Sequence, residues 1–140
     1  MTATTYINLK THGRTDIHDI TEKVAAAVAD AGLADGIAVV SCVGSTCAVT
    51  TIEYEPGLVS DMQEILQKLI PEGKGYRHDA AWGDDNGHSH LRSSLIGTSF
   101  TAPVTEGRLE LGTWQQIVFL ELDHRGRDRK IVVKMIGVTE

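Results

Sequence analysis

The sequence predicts a single α+β domain in which a mixed or antiparallel β-sheet carries two main helices. Three observations point there. A chain of 140 residues is the size of one domain and can bury roughly two-thirds of its unfolded surface. Its apolar stretches are short, rich in Val and Ile, and bounded by glycine or proline, as strands are. Two further stretches repeat apolar residues at helical spacing instead. With aromatic residues at only 5%, the core must be built from Val, Ile, Leu and Ala, which suit the meeting of sheet and helix.

The elements follow in order. From Thr4 to Leu9, Thr4, Tyr6 and Asn8 alternate with Thr5, Ile7 and Leu9, a half-exposed strand. A polar stretch around Gly13 leads to Asp16 or Asp19 as a helix cap. Ile17, Ile20, Val24, Ala27, Val28 and Ala31 then mark a helix face that ends at Gly32. Ile37 to Val43 reads as a buried strand, broken at Gly44-Ser45-Thr46 and resumed from Cys47 to Tyr54. Pro56-Gly57 closes that run, and Leu58, Met62, Ile65, Leu66 and Leu69 form the face of a second helix that stops before Pro71.

From Glu72 to His90 the chain turns polar and glycine-rich without a period, which predicts a long functional loop. The remainder reads as strands at 91–101, 114–122 and 130–138, with a turn at Glu106-Gly107 and a hairpin through His124 to Asp128. No repeat or linker divides the chain, so residues 1–140 form one domain.

Composition excludes some partners. Net charge is −6, and the one basic cluster, Arg125, Arg127, Arg129 and Lys130, reads as a solvated hairpin tip beside Asp123 and Asp128. Nucleic acid is therefore not expected as a partner. No run approaches the roughly 20 apolar residues that cross a bilayer, so neither is a membrane, and a cytoplasmic location is expected. Cys42 and Cys47 lie in buried strand sequence, where free thiols are expected.

Candidate chemistry concentrates in Tyr76-Arg77-His78-Asp79 and Asp84-Asp85-Asn86-Gly87-His88-Ser89-His90. In an extended backbone His88 and His90 would point to one face and could share a metal or flank an anion. His78 and His90 carry more weight than His88, which reads as exposed. Gly112-Thr113-Trp114-Gln115-Gln116 offers close backbone approach, a hydroxyl, an amide and a stacking surface. At the strand break, Gly44, Ser45 and Thr46 can hold a phosphate, while Glu53 can serve as base or metal ligand. No Walker loop, dinucleotide fingerprint, nucleophile elbow or metalloprotease helix occurs.

These same segments resemble the YjbQ family: Gly44-Ser45-Thr46, then Thr51 to Leu58, Tyr76 to Asp79, Asp85 to Leu91, and Leu111 to Ile117, in the family's order. The resemblance implies a compact α+β fold, a homotrimer, and pockets near subunit boundaries. It also implies weak secondary thiamine-phosphate synthase activity, which joins a pyrimidine methyl pyrophosphate to a thiazole phosphate. On that reading His78, His90 and Glu53 are catalytic, and Ser45, Thr46, Asn86, Gly112, Thr113, Trp114 and Gln115 bind the small phosphorylated substrate. A divalent metal, magnesium or zinc, would sit on His78, His90 and Asp85. Many relatives carry histidine where this chain has Ser45, which removes a ligand or acid. The alternative class is a noncatalytic trimer that binds a metal or phosphorylated ligand without turnover.

Overall fold

A computed structural model describes residues 1–140. β1 (Thr2–Lys10), β3 (Asp35–Cys42), β5 (Ser99–Thr105), β6 (Arg108–Leu109) and β8 (Asp128–Val138) form a five-stranded antiparallel sheet in the order β1-β8-β3-β5-β6. β2 (Asp16–Asp19), β4 (Cys47–Ile52) and β7 (Gln116–Glu121) form a second sheet in the order β2-β7-β4. The helices are α1 (Thr21–Ala31), α2 (Pro56–Leu69), α3 (Arg77–Trp82) and α4 (Gly87–Ile96). The expected sheet is thus two sheets, and four helices stand where two were expected.

β7 explains the layering. Ile117 and Phe119 belong to the core shared with the large sheet and α1, together with Val40, Ile131, Val133, Val24 and Val28. Val118, Leu120 and Leu122 belong to a second core closed by Leu66, Val59 and Met62 of α2 and Ile96 of α4. A strand buried on both faces needs apolar residues at every position, which is why this run is continuous rather than alternating. Cys42 and Cys47 are both buried free thiols at the crossing from β3 to β4.

Several expectations change. Asp16–Asp19 is strand rather than helix: Ile17 pairs with Leu120 and is buried, so pairing with β7 overrides the local helical spacing. Asp19 still serves the helix start, its Oδ1 accepting from Thr21 N at 3.0 Å and Thr21 Oγ1 at 2.6 Å. Pro56-Gly57 opens α2 rather than only ending a strand, capped by Glu55, whose carboxylate accepts from Gly57 N and Leu58 N.

The expected loop from Glu72 to His90 contains α3 and the start of α4, and the strand expected from Leu91 begins only at Ser99. The expected hairpin at His124 to Asp128 joins strands of different sheets. Its arginines are not all solvated: Arg129 is 8% exposed, against Glu121 and Asp123, which are fully buried. No helix is long and apolar enough to cross a membrane.

Candidate functional site

Asp79 ties the two short helices together. The Asn86 side chain makes no capping bond to α4; Asp79 Oδ1 instead accepts from Gly87 N at 2.7 Å. A carboxylate there satisfies an orphan donor and faces the positive end of the helix dipole. The approach requires glycine: a Cβ at Gly87 would lie 2.8 Å from Tyr76 Cβ and 2.9 Å from Asp79 Oδ1. Tyr76 is fixed in turn, its hydroxyl donating to Pro71 O at 2.7 Å.

This clamp brings His78 of α3 and His90 of α4 together, with ring centroids 4.6 Å apart and planes tilted by 43°. His88 and His90, expected on one face of an extended backbone, instead lie two apart on the helix α4, and the ring that meets His90 is His78 from α3. His78 Nδ1 stands 3.5 Å from Asp79 Oδ1, an ion-pair separation without hydrogen-bond geometry, and this buried nitrogen has no other partner. The rings line a cleft of about 610 Å³ together with Lys74, Tyr76, Arg77 and Leu91. Every charged or titratable nitrogen in that lining is cationic or can become so, and no carboxylate lines it. In a chain of net charge −6, such a lining is a local basic patch, complementary in charge to an anion.

His88 is not exposed as expected but 1% exposed. Burial, then the nearby Arg92 guanidinium, lowers its pKa below the ordinary value. Its Nε2 is 3.3 Å from Ser89 Oγ, and its Nδ1 has no partner. Arg92 locks α4 in place through Ile70 O at 2.9 Å, Gln67 Oε1 at 3.1 Å and Thr15 Oγ1 at 3.2 Å.

The other expected site residues fall elsewhere within the chain. Glu53, Thr113 and Trp114 line a separate cleft of about 540 Å³. Asn86 lines a third, beside His124. Gln115 is occupied in holding its own turn, accepting from Gly112 N at 3.0 Å and donating to Thr51 Oγ1 at 3.3 Å. A Cβ at Gly112 would meet the Gln115 side chain at an ordinary contact distance of 3.7 Å, so no close approach requires glycine there.

Ser45 is exposed, whereas Thr46 is buried and its hydroxyl is fully used. Thr46 Oγ1 accepts from Arg129 at 2.7 Å and donates to Asp123 Oδ2 at 3.2 Å, a structural anchor between the sheets. Asp85 is exposed with a left-handed φ of 56°. No three His, Cys, Asp or Glu side chains of the chain are grouped to hold a metal ion. Two imidazoles alone do not fit a resident divalent metal, which needs more donors, and magnesium prefers oxygen.

A family model described as UPF0047 protein YjbQ-like matches residues 5–138. The chain belongs to the YjbQ (UPF0047) family. It is 42% identical to a UPF0047 protein of Archaeoglobus fulgidus, covering 93% of this chain and 98% of that one. A YbjQ-like protein of unknown function from Sulfolobus solfataricus superposes with a TM-score of 0.94 at 31% identity, covering 99% of each chain. A YjbQ/UPF0047 structure from Clostridium acetobutylicum gives 0.87 at 38% identity, covering 94% of this chain and 99% of that one. The shared α+β architecture is that of the YjbQ family.

Proposed function

We propose that the histidine cleft binds the phosphate end of a small phosphorylated molecule, and that the protein acts as a transferase of the thiamine-phosphate synthase type. The observation that carries this reading is the cleft lining: Lys74, Arg77, His78 and His90, with no carboxylate in the lining itself and Asp79 behind His78. In the reaction the C–O bond to pyrophosphate breaks and the electron pair leaves on oxygen. The thiazole nitrogen lone pair forms the new C–N bond. Fixed positive charge at the departing oxygens lowers that barrier. Lys74, held 5.7 Å from the Tyr76 ring centroid, and Arg77 supply it beside the two imidazoles. The expected divalent metal enters this reading as a companion of the pyrophosphate.

Glu53, Thr113 and Trp114 join the reading through assembly. We propose a homotrimer in which their cleft abuts the histidine cleft of a neighbour. Tyr6, Ile37, Ile136 and Val138, exposed on the five-stranded sheet, support self-association. Light scattering should give about three chain masses; a monomer at micromolar concentration overturns this assembly.

The test of the activity is direct. Purified protein is incubated with both thiamine precursors and magnesium, and thiamine phosphate is measured. His90→Ala should abolish product. Equal product from both proteins removes the catalytic reading. Pyrophosphate binding with no turnover in either leaves the second reading, noncatalytic binding, which is favoured by the separation of Glu53 from the histidines within one chain.

A further inference from the structure

The segment joining β7 to β8 crosses between sheets and is held tightly where a hairpin tip would be free. Arg127 N donates to Thr11 Oγ1 at 2.9 Å, Thr11 N donates to Arg127 O at 3.0 Å, and Arg127 Nε donates to the buried Asp123 Oδ2 at 2.7 Å. A Cβ at Gly126 would lie 2.2 Å from Thr11 O, so the chain runs flush against residue 11. His124 Nε2 reaches the Asp84 backbone oxygen at 2.8 Å, tying this segment to the approach of α4. Burial opposes ionisation of Asp123, but the His124 N–H and the Arg127 guanidinium outweigh it and hold its carboxyl below the usual range.

Between the two tied segments lies a cleft of about 280 Å³, lined only by Asp84, Asn86, His124, Arg125 and Arg127. Asn86 is 6% exposed, yet its Oδ1 has no hydrogen-bond partner. A buried amide oxygen left unmatched costs about 1–3 kcal/mol unless something completes it, and Asn86 is one of the residues that line this cleft. Asp84 and the buried Asp123, which Arg127 Nε bonds at 2.7 Å, offset the two arginines, so the unpaired cation of the cleft is Arg125. Arg125 makes no ion pair within the chain and is exposed, so its guanidinium is free to bind.

We propose that this cleft is a second phosphate subsite. Arg125 and Arg127 take the phosphate oxygens, and Asn86 Oδ1 accepts from an N–H or O–H of the same ligand. The proposal rests on the reading of the histidine cleft and extends it: Asn86 lines this cleft and Gly87 lines the other, so the two anion positions flank one helix start. The substrate class is then a pair of phosphorylated molecules, or one molecule phosphorylated at both ends, with a hydrogen-bond donor near the second phosphate. The guanidinium fork suits phosphate better than an ammonium does.

The test uses the full chain, isotopically labelled, titrated with inorganic phosphate and followed by nuclear magnetic resonance at two places. The Arg127 Nε–H signal reports this cleft, and the His78 and His90 ring signals report the other. Both sets should shift and saturate. Arg125→Glu should weaken the event at Arg127 by about tenfold or more, the lower range for a hydrogen bond to a charged group. It should leave the histidine event unchanged, and Arg125→Lys should recover part of the loss. An Arg127 signal that never moves, or moves equally in the wild type and Arg125→Glu, overturns the subsite. Still histidine signals beside a moving Arg127 instead overturn the histidine cleft and leave this subsite standing.

Discussion

Replacing Arg129 with alanine is the most informative perturbation of the fold beneath these clefts. Arg129 Nε donates to Glu121 Oε1 at 2.7 Å, and its terminal nitrogen reaches Glu121 Oε2 and Thr46. Burial works against the guanidinium, but the hydrogen-bonded Glu121 carboxylate, with Asp123 beside it, holds its pKa above the ordinary value. In Arg129→Ala, Glu121 keeps Thr11 Oγ1 at 2.6 Å and Asp123 N at 3.2 Å, but its countercharge is gone.

A carboxylate stranded in a site with no exposure can escape by taking up a proton. For a carboxyl that titrates near 4.3 in water, that costs about 3.7 kcal/mol at pH 7 and about 1 kcal/mol at pH 5. Removing one partner of a buried pair generally costs about 3–5 kcal/mol. A loss of about 4 kcal/mol at pH 7, shrinking toward acid pH, is therefore expected from urea unfolding followed by circular dichroism. Glu121→Gln combined with Arg129→Met should recover most of it. A loss below about 1 kcal/mol at pH 7 would refute the reasoning, because it would mean that water already reaches Glu121.

Gly87→Ala should destabilise by about 1–3 kcal/mol in thermal unfolding, because the methyl meets Tyr76 Cβ and Asp79 Oδ1; a stabilised variant, as helix propensity alone would give, refutes the clamp. His88 sets a pH dependence. Its folded pKa lies below the ordinary value of about 6.5, so the unfolded chain binds a proton that the folded chain declines. Its contribution is complete above that value and falls on acidification through it, by at most about 1.4 kcal/mol per pH unit, until the folded group protonates. Urea titrations across this range should show a steeper acid loss for the wild type than for His88→Gln, and identical slopes count against a neutral buried imidazole.

The strands around the main core were legible because their apolar residues repeat every second position and their ends carry Gly or Pro. β7 was legible as a continuous apolar run, although nothing in it reveals that its two faces meet different layers. α4 was not legible as a helix. Its buried residues are Gly87, His88, Ser89, Arg92 and Ser93, so the hydrophobic period that marks a helix is absent where the core-facing side is polar. The cap that fixes its start is a contact between segments: Asp79 Oδ1 reaches Gly87 N across eight residues, which no local spacing signals. The meeting of His78 and His90 depends on that cap, which is why motif reading could nominate both without explaining how they approach. Arg125, Arg127, Arg129 and Lys130 read as a solvated tip because a basic run beside aspartates is usually solvated. What overrides that reading is a long-range fact, the crossing of β7 and β8 into different sheets.

That crossing buries the two ends of one short segment, Asp123 and Arg129, and leaves its middle toward solvent, and salt separates them. Asp123 and Arg129 face the space between the sheets, where Glu121 and Thr46 complete their hydrogen bonds and water is excluded. Arg125 is exposed at the mouth of the Asn86 cleft, with Arg127 half-buried beside it. Mobile ions screen exposed charges within about 10 Å at 0.1 M salt and act much less on buried pairs. Raising salt should therefore weaken phosphate binding at the Arg127 signal while leaving the Arg129→Ala stability difference nearly constant. If both fall together, the inner pair is solvated and the segment is one basic surface. If neither falls, phosphate does not bind through Arg125, because an exposed guanidinium cannot hold an anion independently of ionic strength.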